Sequence, residues 1–351
     1  MSQTSQSTAV LYQAYQQLRQ EQPKWRARQL AAQLKISEAE LVAIRQGKES
    51  QRLNDEFAAM FAAFPSLGNV MALTRNEQAV HERHGRYHAA HFDSPQVGVV
   101  LGPQIDLRLF MRHWQSGFWL IENGRESLQF FDEFGEAVHK IYRTEKTDGE
   151  AWQQFIEQFK ASDDVELTIH PQEPKVAETL PENFDAAQFA KDWSELNEIH
   201  EYHGMLKRYQ ISRTHALEQI GSAWAVALPN TALQTLLEQS RDQHCPLIIF
   251  VGNRGCIQIH TGEPENVKVV GPWLNILDPE FNLHLNVTEI ASCWAIKRPT
   301  EDGFIHSVEC FNRQGDTIAT FFGKRKPGQK ELPVWTQLVG SLWQMASQEV
   351  L

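Results

Sequence analysis

The sequence predicts an α+β fold built by tandem structural duplication, in which each half has helices followed by a large antiparallel β-sheet. Similar segments recur in the same order in both halves, which is typical of a duplicated domain. Helix-like and strand-like stretches stay separate along each half, which favours α+β over a doubly wound α/β fold. An acidic, proline-containing stretch lies between the halves, as expected of a linker.

The duplication is visible in matched segments. LKISEAEL at residues 34–41 aligns with YQISRTHA at 209–216, an offset of 175 residues. FFDEFGEAVHKIY at 130–142 aligns with CFNRQGDTIATFF at 310–322. Both members of the second pair read as an aromatic strand, a turn with glycine and an alternating strand. Matches that keep their order and near-constant spacing indicate a repeated domain.

The first half begins with helices and continues with strands. Helical periodicity covers residues 10–62, with Ser37 as the expected N-cap before Glu40. Strand patterns then cover residues 69–145, including short runs such as 97–101. The first repeat is therefore predicted to have its helices before its sheet.

The second half repeats this order. Helices are predicted over residues 188–242, strands over 246–325 and a closing helix near 333–349. The intervening stretch is acidic and holds three prolines. The predicted organisation is a first repeat, a linker and a second repeat, at residues 1–161, 162–188 and 189–351.

The composition limits the class of protein. The net charge is −11 and the apolar share is 42%, which is typical of a globular chain and opposes non-specific binding to nucleic acid. No run of about eighteen uncharged apolar residues occurs, and the first residues lack a signal-peptide layout. The four cysteines never form a CxxC pattern, which favours free thiols in a reducing compartment. We expect a soluble cytoplasmic protein with no nucleic-acid partner.

One segment has the pattern of a helix-turn-helix. It is Arg28–Leu41, RQLAAQLKISEAEL, and six basic and two acidic residues lie between Lys24 and Lys48. The second half carries a matching segment in the same position, and two short helices with a Ser-capped turn are also common as plain packing. We therefore favour packing over DNA binding.

Four histidines lie within eleven residues, at His81, His84, His88 and His91. Imidazole suits zinc, copper or nickel, so the cluster is a candidate metal site. The glycine at Gly85 and its neighbours favour a turn between strands over a single helical face. We therefore expect a solvated histidine-rich loop.

The segment from Trp193 to Gln210 has the spacing of one amphipathic helix. Such a helix places His200 and His203 on one face. Gly204 lowers helix stability by about 0.8–1.0 kcal/mol relative to alanine, which suggests that another group approaches the helix there. On spacing alone, a surface histidine pair and a ligand pair both remain open.

Longer strings resemble the HemS/ChuS family of haem-degrading and haem-carrying proteins. EIHEYHGMLKRYQISRTHAL at 198–217 is similar to the family segment DVHQFFxLLKRxxLTRxQA. Other similar segments are ALTRNEQAVHE (72–82), IDLRLF (105–110), SLQFFDEFGEAVHKIY (127–142), IIFVGNRGCIQIHTG (248–262) and RPTEDGF (298–304). The resemblance covers nearly the whole chain in order, and it includes the duplication.

The resemblance implies a haem iron site. His200 matches the family's axial ligand. Relatives often have phenylalanine at the position of His203, so this histidine is an additional, alternative candidate ligand in this chain. Gly204 would leave clearance for the ring. Arg108 matches the distal, catalytic arginine; it only donates hydrogen bonds, so a water held by it would have to pass protons. In the second half His284 occupies the position that matches Arg108.

The resemblance also implies contacts to the ring and its propionates. Arg213 and Arg325 match propionate contacts, and Phe250 matches an aromatic residue that packs on the ring. Arg298 stands where relatives have lysine and keeps the positive charge. Two positions depart from the family pattern, since relatives have glutamine and tyrosine where this chain has Thr320 and Phe322. Propionate anchoring is therefore expected to be weaker or differently arranged.

The implied function concerns haem bound in the cleft between the halves. The favoured alternative is an enzyme that opens the haem ring and releases iron, with haem as both ligand and substrate. It would need an external electron donor, because neither a GxGxxG nor a Walker sequence is present. The second alternative is a carrier that passes haem to a separate oxygenase, and the third is a regulatory or metal-related role without haem. The partners implied are a haem ABC transporter or a downstream oxygenase.

Overall fold

The computed structural model of the chain describes residues 3–162, 166–173, 179–197, 201–229, 231–326 and 328–348. The chain divides into two compact units. Unit 1 comprises Met1–Arg75, Glu82–Glu173 and Asn253–Gln258, and unit 2 comprises Asn76–His81, Pro174–Gly252 and Ile259–Leu351. Unit 2 thus includes Asn76–His81 from the first half of the chain, and unit 1 includes Asn253–Gln258 from the second half. The change between units at Glu173 and Pro174 lies inside the predicted linker.

The described residues contain ten α-helices, five in each unit. In unit 1 they are α1 (Gln3–Glu21), α2 (Ala27–Leu34), α3 (Glu38–Ala43), α4 (Phe57–Ala63) and α5 (Gly149–Phe159). In unit 2 they are α6 (Ala186–Ser194), α7 (Glu201–Tyr209), α8 (Arg213–Gln219), α9 (Ala232–Asp242) and α10 (Pro333–Gln348).

Matched serines start matched helices in the two repeats. The Ser37 hydroxyl accepts a hydrogen bond from the backbone N–H of Glu40, and the Glu40 carboxylate accepts one from the Ser37 N–H. This capping box begins α3 and confirms the predicted N-cap. In unit 2 the Ser212 hydroxyl accepts from the His215 N–H and begins α8 in the same way.

The repeats contribute nine strands each in the described part of the chain. The first repeat has β1 (Ser50–Leu53), β2 (Gly68–Arg75), β3 (Ala79–Arg86), β4 (Ala90–Ser94), β5 (Val97–Leu101), β6 (Asp106–Phe110), β7 (Ser116–Glu122), β8 (Arg125–Phe131) and β9 (Ala137–Thr147). The second has β10 (Ala225–Leu228), β11 (Leu247–Gly252), β12 (Cys256–Gly262), β13 (Val267–Val270), β14 (Trp273–Leu277), β15 (Phe281–Asn286), β16 (Ser292–Thr300), β17 (Gly303–Phe311) and β18 (Thr317–Gly323).

The order of neighbouring strands is the same in both repeats. In unit 1 the hydrogen-bonded order is β1-β7-β8-β9-β2-β3, with a second run β6-β5-β4. In unit 2 it is β10-β16-β17-β18-β11-β12, with β15-β14-β13. The pairs within these runs are antiparallel, as in β8 with β9 and β17 with β18. The predicted α+β duplication with antiparallel sheets is therefore confirmed.

The core of unit 2 forms because helix and strand patterns present apolar faces to each other. Alternate residues Leu247, Ile249 and Val251 of β11 are buried, while the residues between them are only partly buried. Leu236 of α9 and Trp335 of α10 pack into the same buried cluster. Full burial of such side chains contributes about 1.5–3 kcal/mol each. The opposite face of β11 is thereby left available for other contacts.

The core of unit 1 is built largely from aromatic rings. Phe61, Phe64 and Phe130 are buried, and the ring centroids of Phe61 and Phe64 lie 5.0 Å apart in an edge-on arrangement. Trp152 of α5 packs into the same cluster and donates to the Glu126 carboxylate at 3.0 Å. Aromatic pairs in this geometry add stability beyond the area that they bury.

Two asparagines shape equivalent loops in the two units. In unit 2 the side-chain amide of Asn76 donates to the carbonyl oxygens of Gly252 and Ile318 at 3.1 and 2.8 Å. Its oxygen accepts from two backbone N–H groups further along the same loop. In unit 1 Asn253 repeats this, donating to the carbonyl oxygens of Arg75 and Val138 at 2.9 and 2.8 Å. The duplication thus extends to individual hydrogen bonds.

The predicted single helix from Trp193 to Gln210 is wrong. The helix α6 ends at Ser194, where the N–H groups of the next two residues turn back onto carbonyl oxygens of its last turn. The N–H of Asn197 donates to the Glu201 carboxylate at 2.8 Å. Residues 195–197 are therefore not helical, which separates α6 from α7.

Residues 166–173 of the predicted linker pack in unit 1. In Glu166–Glu173 the apolar side chains of Leu167 and Ile169 are partly buried against the cluster that includes Phe118 and Phe131. The His170 N–H also donates to the Glu133 carbonyl oxygen at 2.8 Å. This stretch is therefore docked in an extended conformation. Within the described ranges, no helix is long and apolar enough to cross a membrane.

Candidate functional site

Arg108 lies on β6 in unit 1, with its side chain on the partly exposed face of the strand. The neighbours Leu107 and Leu109 are buried on the other face, and 37% of the Arg108 side chain is exposed. Its guanidinium binds the carboxylate of Asp106, two residues earlier on the same face. The antiparallel register places Val99 opposite Arg108, and His91 opposite Val99. Arg108 is thus held by a surface carboxylate.

The histidine-rich segment is mostly strand, so the expected solvated loop is largely wrong. His81 and His84 lie on β3, which continues to Arg86, and His81 is fully buried. His91 lies on β4, and His88 lies in the short connection between the two strands. Within the described ranges, no group of three or more His, Cys, Asp or Glu side chains is arranged to hold a metal ion.

The segment predicted to supply the axial ligand begins at the end of the described residues. His200 lies outside them, immediately before the first residue of α7. His203 and Gly204 lie on α7 and are exposed. The centroids of the His203 and Tyr202 rings lie 5.9 Å apart. A Cβ added at Gly204 would meet nothing within 4 Å, so there is open space beside this turn of the helix.

The strand register in unit 2 gathers several predicted contacts on one face of the sheet. Residues directly opposite each other in an antiparallel pair point to the same side. Glu309 of β17 lies opposite Trp294 of β16 and Thr320 of β18, and Phe250 of β11 lies opposite Thr320. Arg298 lies on this same side of β16, four residues after Trp294. We call this side of the sheet the Glu309 face.

Glu309 binds two of the arginines that were predicted to contact haem, Arg213 and Arg298. The Nη2 of Arg213 donates to the Glu309 Oε2 at 2.7 Å, from the first residue of α8. The Nη2 of Arg298 forms an ion pair with the Oε1 at 2.9 Å. The Ser307 hydroxyl also donates to this oxygen, at 3.0 Å. The carboxylate is fully buried, accepts hydrogen bonds from Arg213 and Ser307, and is paired with the charge of Arg298.

The electrostatics keep Glu309 ionised. Burial alone would raise the pKa of the Glu309 carboxyl, but the charges of Arg213 and Arg298 outweigh burial and hold the pKa at about 2. The pKa of Arg213 is raised, because the attraction of Glu309 outweighs its own desolvation. All three groups are therefore charged at neutral pH, and they sum to one positive charge.

Arg298 and Arg213 differ in what they offer to a ligand. The Arg298 side chain is only 2% exposed, and its guanidinium lies 4.4 Å from the centre of the Tyr202 ring and 5.6 Å from that of Trp193. The Arg213 side chain is 29% exposed and binds Glu309 through one Nη only. Its buried Nε has no hydrogen-bond partner among the described residues, and the same holds for the Nε and Nη2 of Arg298. Arg213 thus keeps donors for a further carboxylate, whereas Arg298 is enclosed.

The remaining predicted contacts lie in unit 2. The rings of Phe250 and Phe322 meet nearly edge-on at 5.5 Å on the Glu309 face. Thr320 is buried on β18, between Glu309 of β17 and Phe250 of β11 in the register. Arg325 follows β18, donates to the Gln329 carbonyl oxygen at 3.2 Å and is 24% exposed. The face therefore offers aromatic surface in place of the tyrosine hydroxyl of relatives.

Glu309 is the residue that sequence reasoning missed. The matched position of the first repeat holds Gln129, in the same sequence context of Ser127 two residues earlier. The sequence signal for Glu309 was a charged residue that is present in only one of the two repeats. Its partner Arg213 lies 96 residues away in the chain, so no local pattern connects them.

The position matching Arg108 is polar as well. His284 lies on β15 in unit 2, and its Nδ1 is 2.6 Å from the side-chain oxygen of Asn275 on β14. The two residues are opposite each other in the strand register. A histidine with an amide partner thus stands where the first repeat has an arginine with a carboxylate partner.

The chain matches the family model of the haemin-degrading HemS/ChuX domain twice, over residues 35–159 and 210–342. It therefore belongs to this family and carries the domain in duplicate. The resemblance noted in the sequence is confirmed by these two matches.

Individual relatives agree over nearly the full length. The chain is 39% identical over 339 residues to the hemin transport protein HmuS of Yersinia pestis, covering 95% of this chain and 97% of HmuS. It is similar to holo-PhuS, a heme-binding protein from Pseudomonas aeruginosa, with a TM-score of 0.92 and 42% identity over 95% of this chain and 99% of PhuS. For ChuS, a heme degrading enzyme of Escherichia coli O157:H7, the TM-score is 0.88 and the identity is 33%, over 95% of this chain and 99% of ChuS.

Proposed function

We propose that this protein binds haem and degrades it by oxidative opening of the ring, with release of iron. The observation that carries the proposal is the similarity, over nearly the whole chain, to PhuS and ChuS, which are described as heme-binding and heme-degrading. The Glu309 face supports it, because that face combines a carboxylate-binding arginine with aromatic surface. A ligand with acidic arms on a flat apolar ring suits this combination.

In this proposal His200 is the axial ligand. Neutral imidazole is a common proximal ligand of haem iron, and it leaves the opposite side of the ring available. The open space beside Gly204 on the next turn is consistent with a flat group lying there. His203, exposed on α7, is retained as an alternative ligand.

The propionates are assigned mainly to Arg213. It is partly exposed and binds Glu309 through one Nη only, so it fits an additional carboxylate. Arg325 is the second assigned contact, and Phe250 is assigned to packing against the ring. Arg298 is enclosed with Glu309 and Ser307, so we assign its effect to holding Glu309.

Arg108 is proposed as the catalytic residue. Bound haem would supply the iron at which oxygen is activated. The Arg108 guanidinium stays protonated and only donates, so its task is to hold a water by fixed N–H groups while that water passes protons. The Asp106 carboxylate orients these groups.

A carrier function is the second candidate, because HmuS is described as a hemin transport protein. In that case the chain would bind haem and release it intact to a downstream oxygenase. The enzymatic function needs an external electron donor instead, and a haem ABC transporter would supply haem in either case. The four buried cysteines are free thiols, which favours a reducing compartment, and we place the protein in the cytoplasm.

The test is a haemin titration followed by reduction under air. We expect a Soret band that saturates at one equivalent and is lost or shifted in His200→Ala. The exposed His244 gives a matched control, since His244→Ala should leave the band unchanged. Absence of binding by the wild-type protein contradicts the proposal.

Reduction then separates the two candidates. Loss of the Soret band with a bilin-like product supports the enzyme, and Arg108→Ala should bind haemin normally but lose this reaction. An intact Soret band together with transfer to a haem acceptor supports the carrier.

A further inference from the structure

Glu309 occupies a position where a charge is costly. Burying a carboxylate is unfavourable unless it is paired and hydrogen-bonded. Its partners Arg213, Arg298 and Ser307 satisfy it, yet two of these are arginines that also had to be brought to the same place. The question is whether the fold requires a charge at the position of Glu309.

The first repeat shows that the strand position does not require it. Gln129 lies opposite Phe118 and Lys140 in the register, as Glu309 lies opposite Trp294 and Thr320. The Gln129 amide donates to the Ser127 hydroxyl at 3.0 Å, the same distance as the bond from Ser307 to Glu309. A neutral amide therefore fits the same sheet.

The start of the neighbouring helix carries the opposite sign in the two repeats. Glu38 is the first residue of α3, and it is buried with Arg75 and Lys140 as its partners. Arg213 is the first residue of α8. A helix N-terminus favours an acidic residue and disfavours a basic one. The second repeat thus has a basic residue, Arg213, at a position where an acidic residue is favoured, and Arg213 is paired with the buried Glu309.

We propose that Glu309 is a positioning residue for carboxylate binding by Arg213, so that the Glu309 face selects ligands that carry a free carboxylate. Glu309 holds one Nη of Arg213 and leaves its other N–H groups for the ligand. Arg298 and Ser307 fix Glu309 from the enclosed side. The three charged groups sum to one positive charge, which one ligand carboxylate neutralises. This inference rests on the proposed binding of haem.

The experiment compares haemin with its dimethyl ester, in which both propionate charges are removed. Wild-type protein should bind haemin more tightly than the ester. Glu309→Gln raises the summed charge of the three groups from one to two positive charges, which alone would favour haemin. Because Arg213 is no longer held by an ionised acceptor, we expect the haemin affinity to fall about tenfold instead. The ester affinity should stay within about twofold, because the ester makes no ionic contact with Arg213. A merely structural role of Glu309 would weaken both ligands equally.

Two serine variants keep the test decisive if Glu309→Gln does not fold. Ser307→Ala removes one hydrogen bond to Glu309 and retains all charges, so haemin should bind about threefold more weakly and the ester should not change. The matched Ser127→Ala in unit 1 should change neither affinity.

The outcomes separate this inference from the proposed function. Equal losses for both ligands in a folded Glu309 or Ser307 variant overturn it, and so do unchanged affinities for both. Equal binding of haemin and ester by the wild-type protein overturns it while haem binding stands. Failure of the wild-type protein to bind either ligand overturns both.

Discussion

Replacing Arg298 by alanine should destabilise unit 2 far more than an ordinary surface substitution. Arg298 and Glu309 are 2% and 0% exposed, with 2.9 Å between the paired atoms. Arg298→Ala leaves Glu309 buried with one charged partner fewer. The Arg298 guanidinium also lies 4.4 Å from the centre of the Tyr202 ring and 5.6 Å from that of Trp193, so the substitution removes these cation–π contacts as well.

The expected size follows from the environment of the pair. Removing one partner of a buried ion pair costs about 3–5 kcal/mol. Glu309 keeps Arg213 and Ser307 as donors, so we expect about 3 kcal/mol. For a domain of this size about 2–4 °C of melting temperature corresponds to each kcal/mol, which gives a decrease of about 6–12 °C.

Circular dichroism during thermal unfolding measures this decrease, with Arg325→Ala as the control. Arg325 is partly exposed and lies 3.6 Å from the Asp302 carboxylate. A surface pair of this kind contributes about 0–1 kcal/mol, so the control should melt within about 4 °C of wild type. If Arg298→Ala melts no lower than Arg325→Ala, the enclosed role assigned to Arg298 is wrong.

Three further predictions concern acid stability, a glycine turn and a buried thiol. The pKa values of Glu38 and Glu309 are about 2. Their contribution to stability is therefore complete above the unfolded pKa near 4.5 and is lost as the pH falls towards 2. Urea unfolding at stepped pH should show this loss of stability, and the loss should be smaller in Glu38→Gln. Gly135 and Gly124 have φ of +76° and +77°, but of these two only Gly135 has a neighbouring side chain that an added Cβ would meet. Gly135→Ala should therefore lower the melting temperature more than Gly124→Ala. Equal decreases would contradict this prediction. Burial raises the pKa of the Cys256 thiol to about 12, so mass spectrometry should find it unmodified by iodoacetamide at pH 8 unless the protein is unfolded.

The duplication and the fold class were predictable because they leave regular traces in the sequence. Capping serines and alternating strands recur at nearly fixed spacing, and such patterns depend on neighbours in the chain. The α5 helix was not predicted, although Asp148 caps it and its buried residues have helical spacing. That signal was present and was overlooked.

Other features could not be predicted because they depend on contacts between distant residues. The four-residue strands β1 and β10 lie within stretches that were expected to be helical. They are strands because they pair with β7 and β16, far along the chain. The enclosure of Arg298 and the role of Glu309 arise in the same way. Local propensity loses to tertiary pairing at these positions.

The crystal structure of the protein with haemin bound tests the central claim most directly. We predict that the His200 imidazole ligates the iron, and that the guanidinium of Arg213 lies about 2.7–2.9 Å from a propionate oxygen while still bound to Glu309. Iron ligated by a different residue, or propionates that make no contact with Arg213, would contradict the account.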